Sequence, residues 1–124
     1  MPDKVIDASA LAAVAFAEPG ADAVIDEIDG HRLHAPTLLV FELMNVAWKR
    51  SKKQPAATAL FLEALEVLQG LGLRFRGIDQ SEVVRLGLAT GLTAYDAAYL
   101  WLARALGVPL VTLDKKLGAH AKIR

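Results

Sequence analysis

Four short apolar runs alternate with segments of helical length, and this alternation limits the possible fold more than any other feature of the chain. Lys4-Val5-Ile6, Leu33-His34-Ala35, Leu73 to Phe75 and Leu110-Val111-Thr112 read as strands too short for anything but a buried sheet. Between them the apolar spacing and the stop signals give helices over Ala10 to Phe16, Ala21 to Ile28 and Leu38 to Arg50. Further helices run from Pro55 to near Gly70, from Asp79 to Ala89 and from Ala94 to Leu106, and a short one covers Lys115 to His120. Strands joined by helical crossovers pair in parallel, because a parallel pair cannot be closed by a tight turn. The expected class is therefore α/β, with a short, mainly parallel sheet between helices. In such folds ligands bind at the carboxyl ends of the strands, which is where the chemistry should be sought.

A chain of 124 residues and 13.3 kDa is one ordinary domain, spanning 1–124. Hydrophobic residues at 54% are enough for a core. The absence of cysteine excludes disulfides, thiolate zinc sites and cysteine nucleophiles, and fits a reducing compartment. Fourteen basic and fourteen acidic residues give no net charge, which excludes a strongly basic nucleic-acid-coating protein but not a local basic patch. The apolar run Ala8 to Ala17 is about half the ~20 residues that cross a bilayer, and acids interrupt the segment before it. A soluble, cytoplasmic protein with no membrane partner is expected.

Four carboxylates stand where carboxylates are costly. Asp7 ends the first strand, and Asp114 follows the last, so both should lie at the carboxyl edge of the sheet. Glu42 is the single charge between Thr37 and Trp48, and Asp96 the single acid between Leu92 and Leu106. A lone carboxylate in an apolar helix must be paired or bound to a cation. On the third helix, Leu38, Glu42, Asn45 and Lys49 share one stripe, leaving Val40, Leu43, Met44 and Ala47 for the core. If the four acids converge, they form an oxygen-rich negative pocket, and the chain offers no matching set of buried cations. A hard divalent ion, Mg²⁺ or Mn²⁺, is the natural neutraliser. Such ions can activate water and bind phosphate oxygens.

Plainer roles compete with this reading. Asp7 and Asp114 could each cap a helix, and Asp96 in a first turn could complement the helix dipole. Glu42 lies too far inside its helix for either. Ser9 and Thr112, beside the strand-end acids, are placed to orient a carboxylate rather than to attack a substrate. His31, His34 and His120 read as solvated.

Taken in order, four segments resemble a PIN-domain ribonuclease of the VapC toxin type. They are Val5-Ile6-Asp7-Ala8-Ser9-Ala10-Leu11, Pro36 through Glu42 to Asn45 and Val46, Leu92-Thr93-Ala94-Tyr95-Asp96-Ala97-Ala98-Tyr99, and Leu110-Val111-Thr112-Leu113-Asp114. The resemblance spans essentially the whole chain. It implies a three-layer α/β/α fold and a divalent-metal endoribonuclease of a toxin–antitoxin module, leaving 5′-phosphate and 3′-hydroxyl ends. It implies a homodimer held inactive by a cognate antitoxin. It places Asp7, Glu42, Asp96 and Asp114 as the acidic quartet that holds Mg²⁺ or Mn²⁺, with Asn45 and Thr112 as the supporting polar residues. One departure from the pattern is that Lys115 and Lys116 follow Asp114 directly, so no further acid supports it.

Setting the four acids aside leaves ten acids against fourteen bases, which suits an RNA substrate. Lys49, Arg50, Lys52 and Lys53 form the densest basic cluster and are the expected phosphate contacts; Arg74, Arg76, Lys115 and Lys116 are further candidates. A solvated helix end is the plain alternative for each. The helix from Ala56 to Gln69 is apolar nearly all round, which predicts burial on more than one face and hence a second protein, either another copy or an antitoxin helix. Two other sheet-edge acid pockets fit less well. A receiver-type module would carry paired acids after the first strand, and a haloacid-dehalogenase phosphatase would have Asp-x-Asp where this chain has Asp7-Ala8-Ser9. A PIN fold that binds RNA or protein without cutting is the serious alternative.

Overall fold

The computed structural model describes residues 2–121. Strands β1 (Asp3–Ile6), β2 (Arg32–Ala35), β3 (Arg74–Phe75) and β4 (Leu110–Val111) form one sheet in the order β3-β2-β1-β4, and every pair is parallel. Helices α1 (Ala8–Ala15), α2 (Ala21–Ile28), α3 (Leu38–Lys53), α4 (Thr58–Gln69), α5 (Gln80–Thr90), α6 (Ala94–Leu106) and α7 (Lys115–Ala121) flank it, and a 3₁₀ turn at Pro55–Ala57 leads into α4. This is the expected α/β/α arrangement. Helix α6 packs on β1 and β4 with α5 beside it, while α1 packs against α2 and α3, and α3 against α4.

Local chemistry fixes the helix ends. Asp7, Asp79 and Thr93 cap α1, α5 and α6 by accepting from the N–H groups of Ala10, Glu82 and Asp96. Gly91 and Gly107 end α5 and α6 in left-handed conformations that cost a side-chain-bearing residue about 1 kcal/mol or more. Val5 and Ile6 are fully buried and pair with Leu110 and Val111, so the end of β1 is anchored at the centre of the core. The chain order reverses between β1 and its two neighbours, which opens a crevice at the carboxyl edge. Asp7 and Asp114 follow the two strands that border it.

Three expectations are corrected. His34 is not solvated: it is 6% exposed, and its Nε2 stands 2.9 Å from Asp3 Oδ1. It lies in the second strand of the sheet, in register with Val5, so its ring is carried into the interior. The same Asp3 accepts from Arg32 at 2.8 Å, and His34 and then Arg32 hold its carboxyl below the usual range. Val40 and Met44 are not core residues. Both are exposed, while Leu39, Leu43 and Ala47 take the buried stripe of α3. Val40 and Met44 instead line an apolar groove of about 320 Å³ with Leu65 and Leu68 of α4 and with Phe75. On α4, Leu68 is buried, but Leu60, Leu62 and Val67 are 67%, 53% and 61% exposed, so the chain itself covers one face of this helix and leaves another open. Among the described residues, no helix is long and apolar enough to cross a membrane.

Candidate active site

Asp7 is the most constrained of the four acids. It is 4% exposed and is the N-cap of α1. Its Oδ1 accepts from Ala10 N–H at 3.0 Å and from Ser9 Oγ at 2.8 Å, and its Oδ2 accepts from Thr112 Oγ1 at 2.5 Å. Each hydroxyl also receives a backbone N–H, Ser9 from Leu113 and Thr112 from Asp114, at 3.0 and 3.1 Å. Ser9 and Thr112 therefore stitch the end of β1 to the segment after β4 and orient one carboxylate. Burial pushes the Asp7 carboxyl up, the three donors pull it down, and Asp114 adds a repulsion that raises it further.

Glu42 projects from the middle of α3, half-buried, and its Oε1 accepts from Tyr99 Oη at 2.5 Å. Burial raises its carboxyl, the Tyr99 hydroxyl lowers it, and the charges of Asp96 and Asp7 raise it. Asp96 lies in the first turn of α6, beyond the Thr93 cap. Burial raises it, Asp114 adds to the rise and Lys116 opposes it. Asp114 is exposed, and its Oδ1 accepts from Leu117 N–H at 2.9 Å. Every one of the four is thus within electrostatic reach of at least two others, so the fold brings them to the same carboxyl edge of the sheet.

The oxygens left over decide what this pocket can hold. Asp96, Glu42 Oε2 and Asp114 Oδ2 have no protein donor among the described residues, and Asp7 Oδ2 keeps a second lone pair beside its bond from Thr112. These are carboxylate oxygens only, with no imidazole or thiolate, the donor chemistry of a hard divalent cation. Among the described residues, no three His, Cys, Asp or Glu side chains stand close enough together to hold a metal ion as they are placed.

Beside Glu42 a cleft of about 570 Å³ is lined by Ser9, Asn45 and Lys49. The stripe expected on α3 is real in this respect, because Glu42, Asn45 and Lys49 share one wall. The rest of the basic cluster lies elsewhere. Arg50 forms an ion pair with Glu18 and packs over the Phe16 ring at 5.8 Å, and Lys52 lies over Trp48 at 4.6 Å. Lys53 is exposed at the end of α3. Lys116 donates to the Gly91 carbonyl at 2.7 Å. Tyr99 was not among the residues singled out from the sequence. Its signal was its position three residues after Asp96, on the same face of α6 as an acid.

The PIN domain family model matches residues 4–123. The chain is 30% identical over 118 residues to the ribonuclease VapC3 of Pyrobaculum aerophilum, covering 91% of this chain and 90% of that one. It is 32% identical over 120 residues to the exonuclease VapC9 of the same organism, covering 95% and 85%. The crystal structure of PAE2754 from Pyrobaculum aerophilum superposes with a TM-score of 0.79 at 30% identity, over 98% of this chain and 86% of that one. With a match over nearly its whole length and an all-parallel sheet flanked by helices, the chain belongs to the PIN-domain family, among its VapC-related nucleases.

Proposed function

We propose that this protein is a divalent-metal-dependent endoribonuclease, the toxin of a toxin–antitoxin pair, with Asp7, Glu42, Asp96 and Asp114 as its metal-holding catalytic residues. The observation that carries the reading is that Asp7, Glu42 and Asp96 are partly or fully buried and repel one another and Asp114 at one edge of the sheet, with negative charge left unbalanced. Mg²⁺ or Mn²⁺ held by them would supply Lewis-acid catalysis of phosphodiester hydrolysis, giving 5′-phosphate and 3′-hydroxyl ends. The chain's own residues prepare the site. Ser9 and Thr112 fix Asp7, Tyr99 fixes Glu42, and the Leu117 N–H fixes one oxygen of Asp114. Asn45 and Lys49 offer a donor and a cation on the wall beside Glu42, suited to hold a phosphate without reading the base.

The exposed apolar side of α4 and the groove between α3 and α4 support a protein partner, a second copy or the helix of a cognate antitoxin. Sedimentation at micromolar concentration tests the first, since a monomer of 13.3 kDa would remove the homodimer.

The activity is tested with purified protein and a circular single-stranded RNA, with Mg²⁺, with Mn²⁺ and with a chelator. Linearisation of the circle in either metal, abolished by chelator and by Asp96→Asn, is the expected result. A circle has no ends, so an enzyme that only trims termini would leave it intact. An intact circle beside degraded linear RNA would replace the endonuclease by an exonuclease. No cleavage of either RNA would favour the PIN fold that binds without cutting.

A further inference from the structure

A second cleft, of about 500 Å³, opens between the end of β3, the start of α3 and the first turns of α5 and α6. Tyr95 and Leu38 on its lining tie it to the site: Tyr95 immediately precedes Asp96, and Leu38 lies one helical turn before Glu42. Consecutive residues on a helix point about 100° apart, so the cleft borders the acids through the backbone of α3 and α6, and none of the four lines it. Its volume falls in the range of about 300–1,000 Å³ that holds small organic ligands.

The lining has a definite chemistry. Tyr95 and Phe75 are 64% and 42% exposed, so two aromatic faces stand open to solvent. Arg76 is exposed and has no acidic partner among the described residues, and Thr37 and Gln80 add a hydroxyl and an amide. No Asp or Glu lines the cleft. A polyanion would therefore meet neutral and cationic groups here once past the acids. An apolar partner helix would gain from Phe75 and Tyr95 but would leave the Arg76 charge and the Gln80 amide without use.

We propose that this cleft is a stacking subsite for one unpaired base of the RNA strand next to the cleaved phosphate, with Tyr95 as its platform and Arg76 as its cationic rim. The inference rests on the ribonuclease reading above. Lys49 holds the strand on the α3 side of the acids, and Tyr95 receives a base on the α6 side, so the scissile phosphate is fixed from both directions. Stacking on an aromatic ring accepts any base, because every base has a π face. Gln80 and Thr37 are the groups placed to bias the choice.

The test uses full-length Asp7→Asn protein as a non-cutting parent and a short fluorescein-labelled single-stranded RNA in Mg²⁺, read by anisotropy. Adding Tyr95→Ala should weaken binding about 5- to 150-fold, the range for loss of one aromatic–base stack, while Tyr95→Phe stays near the parent. A single abasic site walked along the RNA should reveal one position whose base matters to the parent and not to the Tyr95→Ala protein. Arg76→Ala should weaken binding and flatten the salt dependence. Equal affinity of Tyr95→Ala and its parent, or abasic penalties equal in both at every position, would overturn the subsite and return this wall to a protein partner. Cleavage by the wild-type protein keeps the two readings apart. If it cuts RNA while Tyr95→Ala binds unchanged, only the subsite falls; if the wild type does not cut and the parent does not bind, both fall.

Discussion

Replacing Tyr99 by Phe removes a single oxygen from the centre of the site and leaves the core filled. The ring is 1% exposed, so Phe retains its packing, and what is lost is the donor to Glu42 Oε1 at 2.5 Å. A hydrogen bond to a charged group is worth about 1.5–3 kcal/mol net. Glu42 is only half-buried, so water can replace part of that bond, and the fold should lose about 1 kcal/mol, or ~3–5 °C in Tm. The effect on function should be larger. An outer partner that orients a metal-holding carboxylate costs about 10- to 100-fold in metal affinity or rate when removed. The Tyr99 hydroxyl is also the one group that lowers the Glu42 carboxyl against burial, Asp96 and Asp7. Without it Glu42 ionises at higher pH, and the acid limb of the rate profile should move in that direction. Melting with and without Mg²⁺, calorimetric titration of the metal and a pH–rate profile measure these three effects. A Tyr99→Phe protein that melts lower but keeps wild-type metal affinity, rate and pH profile would refute the positioning role and leave Tyr99 a core residue.

Asp7 should show opposite signs in two assays. Its folded carboxyl is raised above the ordinary value of 3.8, so its contribution to stability is full below that pH and is lost as pH rises through the folded value. Asp7→Asn should therefore melt higher than wild type at pH 7 in chelator, gain less from Mg²⁺ and not cleave RNA; a variant that melts lower in chelator would contradict the electrostatic account. Lys49→Ala should reduce the slope of log binding constant against log salt by about 0.7 for single-stranded RNA, as one lost phosphate contact requires, and an unchanged slope would return Lys49 to a solvated helix end. Arg50→Ala should act first on Tm, since its partners are Glu18 and Phe16, and a salt slope altered as much as by Lys49→Ala would contradict that assignment. Leu117→Ala, at a fully buried position of α7, should cost about 2–5 kcal/mol in denaturant unfolding and lower activity by loosening the helix that Asp114 caps; a cost under ~1 kcal/mol would mean that α7 is not docked as described.

The alternation of strand and helix was legible because each element carries its own period and its own stop signals. The Asp79 and Thr93 caps and the Gly91 and Gly107 terminators are local chemistry, and they fall where the residues say. What the periodicity could not assign was the identity of the neighbour. Val40 and Met44 occupy apolar positions of α3 that a helical wheel allots to the core, yet they face a groove shared with α4 and β3. Only the angle between those elements decides whether such a groove is filled. His34 failed for a related reason. A histidine in a four-residue strand resembles a loop residue until the pairing with β1 places Asp3 beside it. Tyr99 and Tyr95 were hidden by composition, since an aromatic residue in an apolar helix looks the same whether it fills the core, holds a carboxylate or stands open to solvent.

The acids were legible because their cost is local: a carboxylate at a strand end or inside an apolar helix needs an explanation wherever the rest of the chain goes. Capping and ion binding, weighed as rivals in the sequence, are compatible in the structure. Asp7 and Asp114 each give one oxygen to a helix N–H and keep lone pairs on the other. The cap fixes the direction of the remaining oxygen at no further entropic cost, which a free surface aspartate would have to meet on binding a ligand. The same helix starts bring unpaired N–H groups, and thus partial positive charge, toward the pocket at α1, where Asp7 stands, and at α6, where Asp96 sits in the first turn. That field offsets part of the repulsion among the four carboxylates, while burial and the neighbouring charges hold the carboxyls of Asp7, Glu42 and Asp96 above the ordinary range.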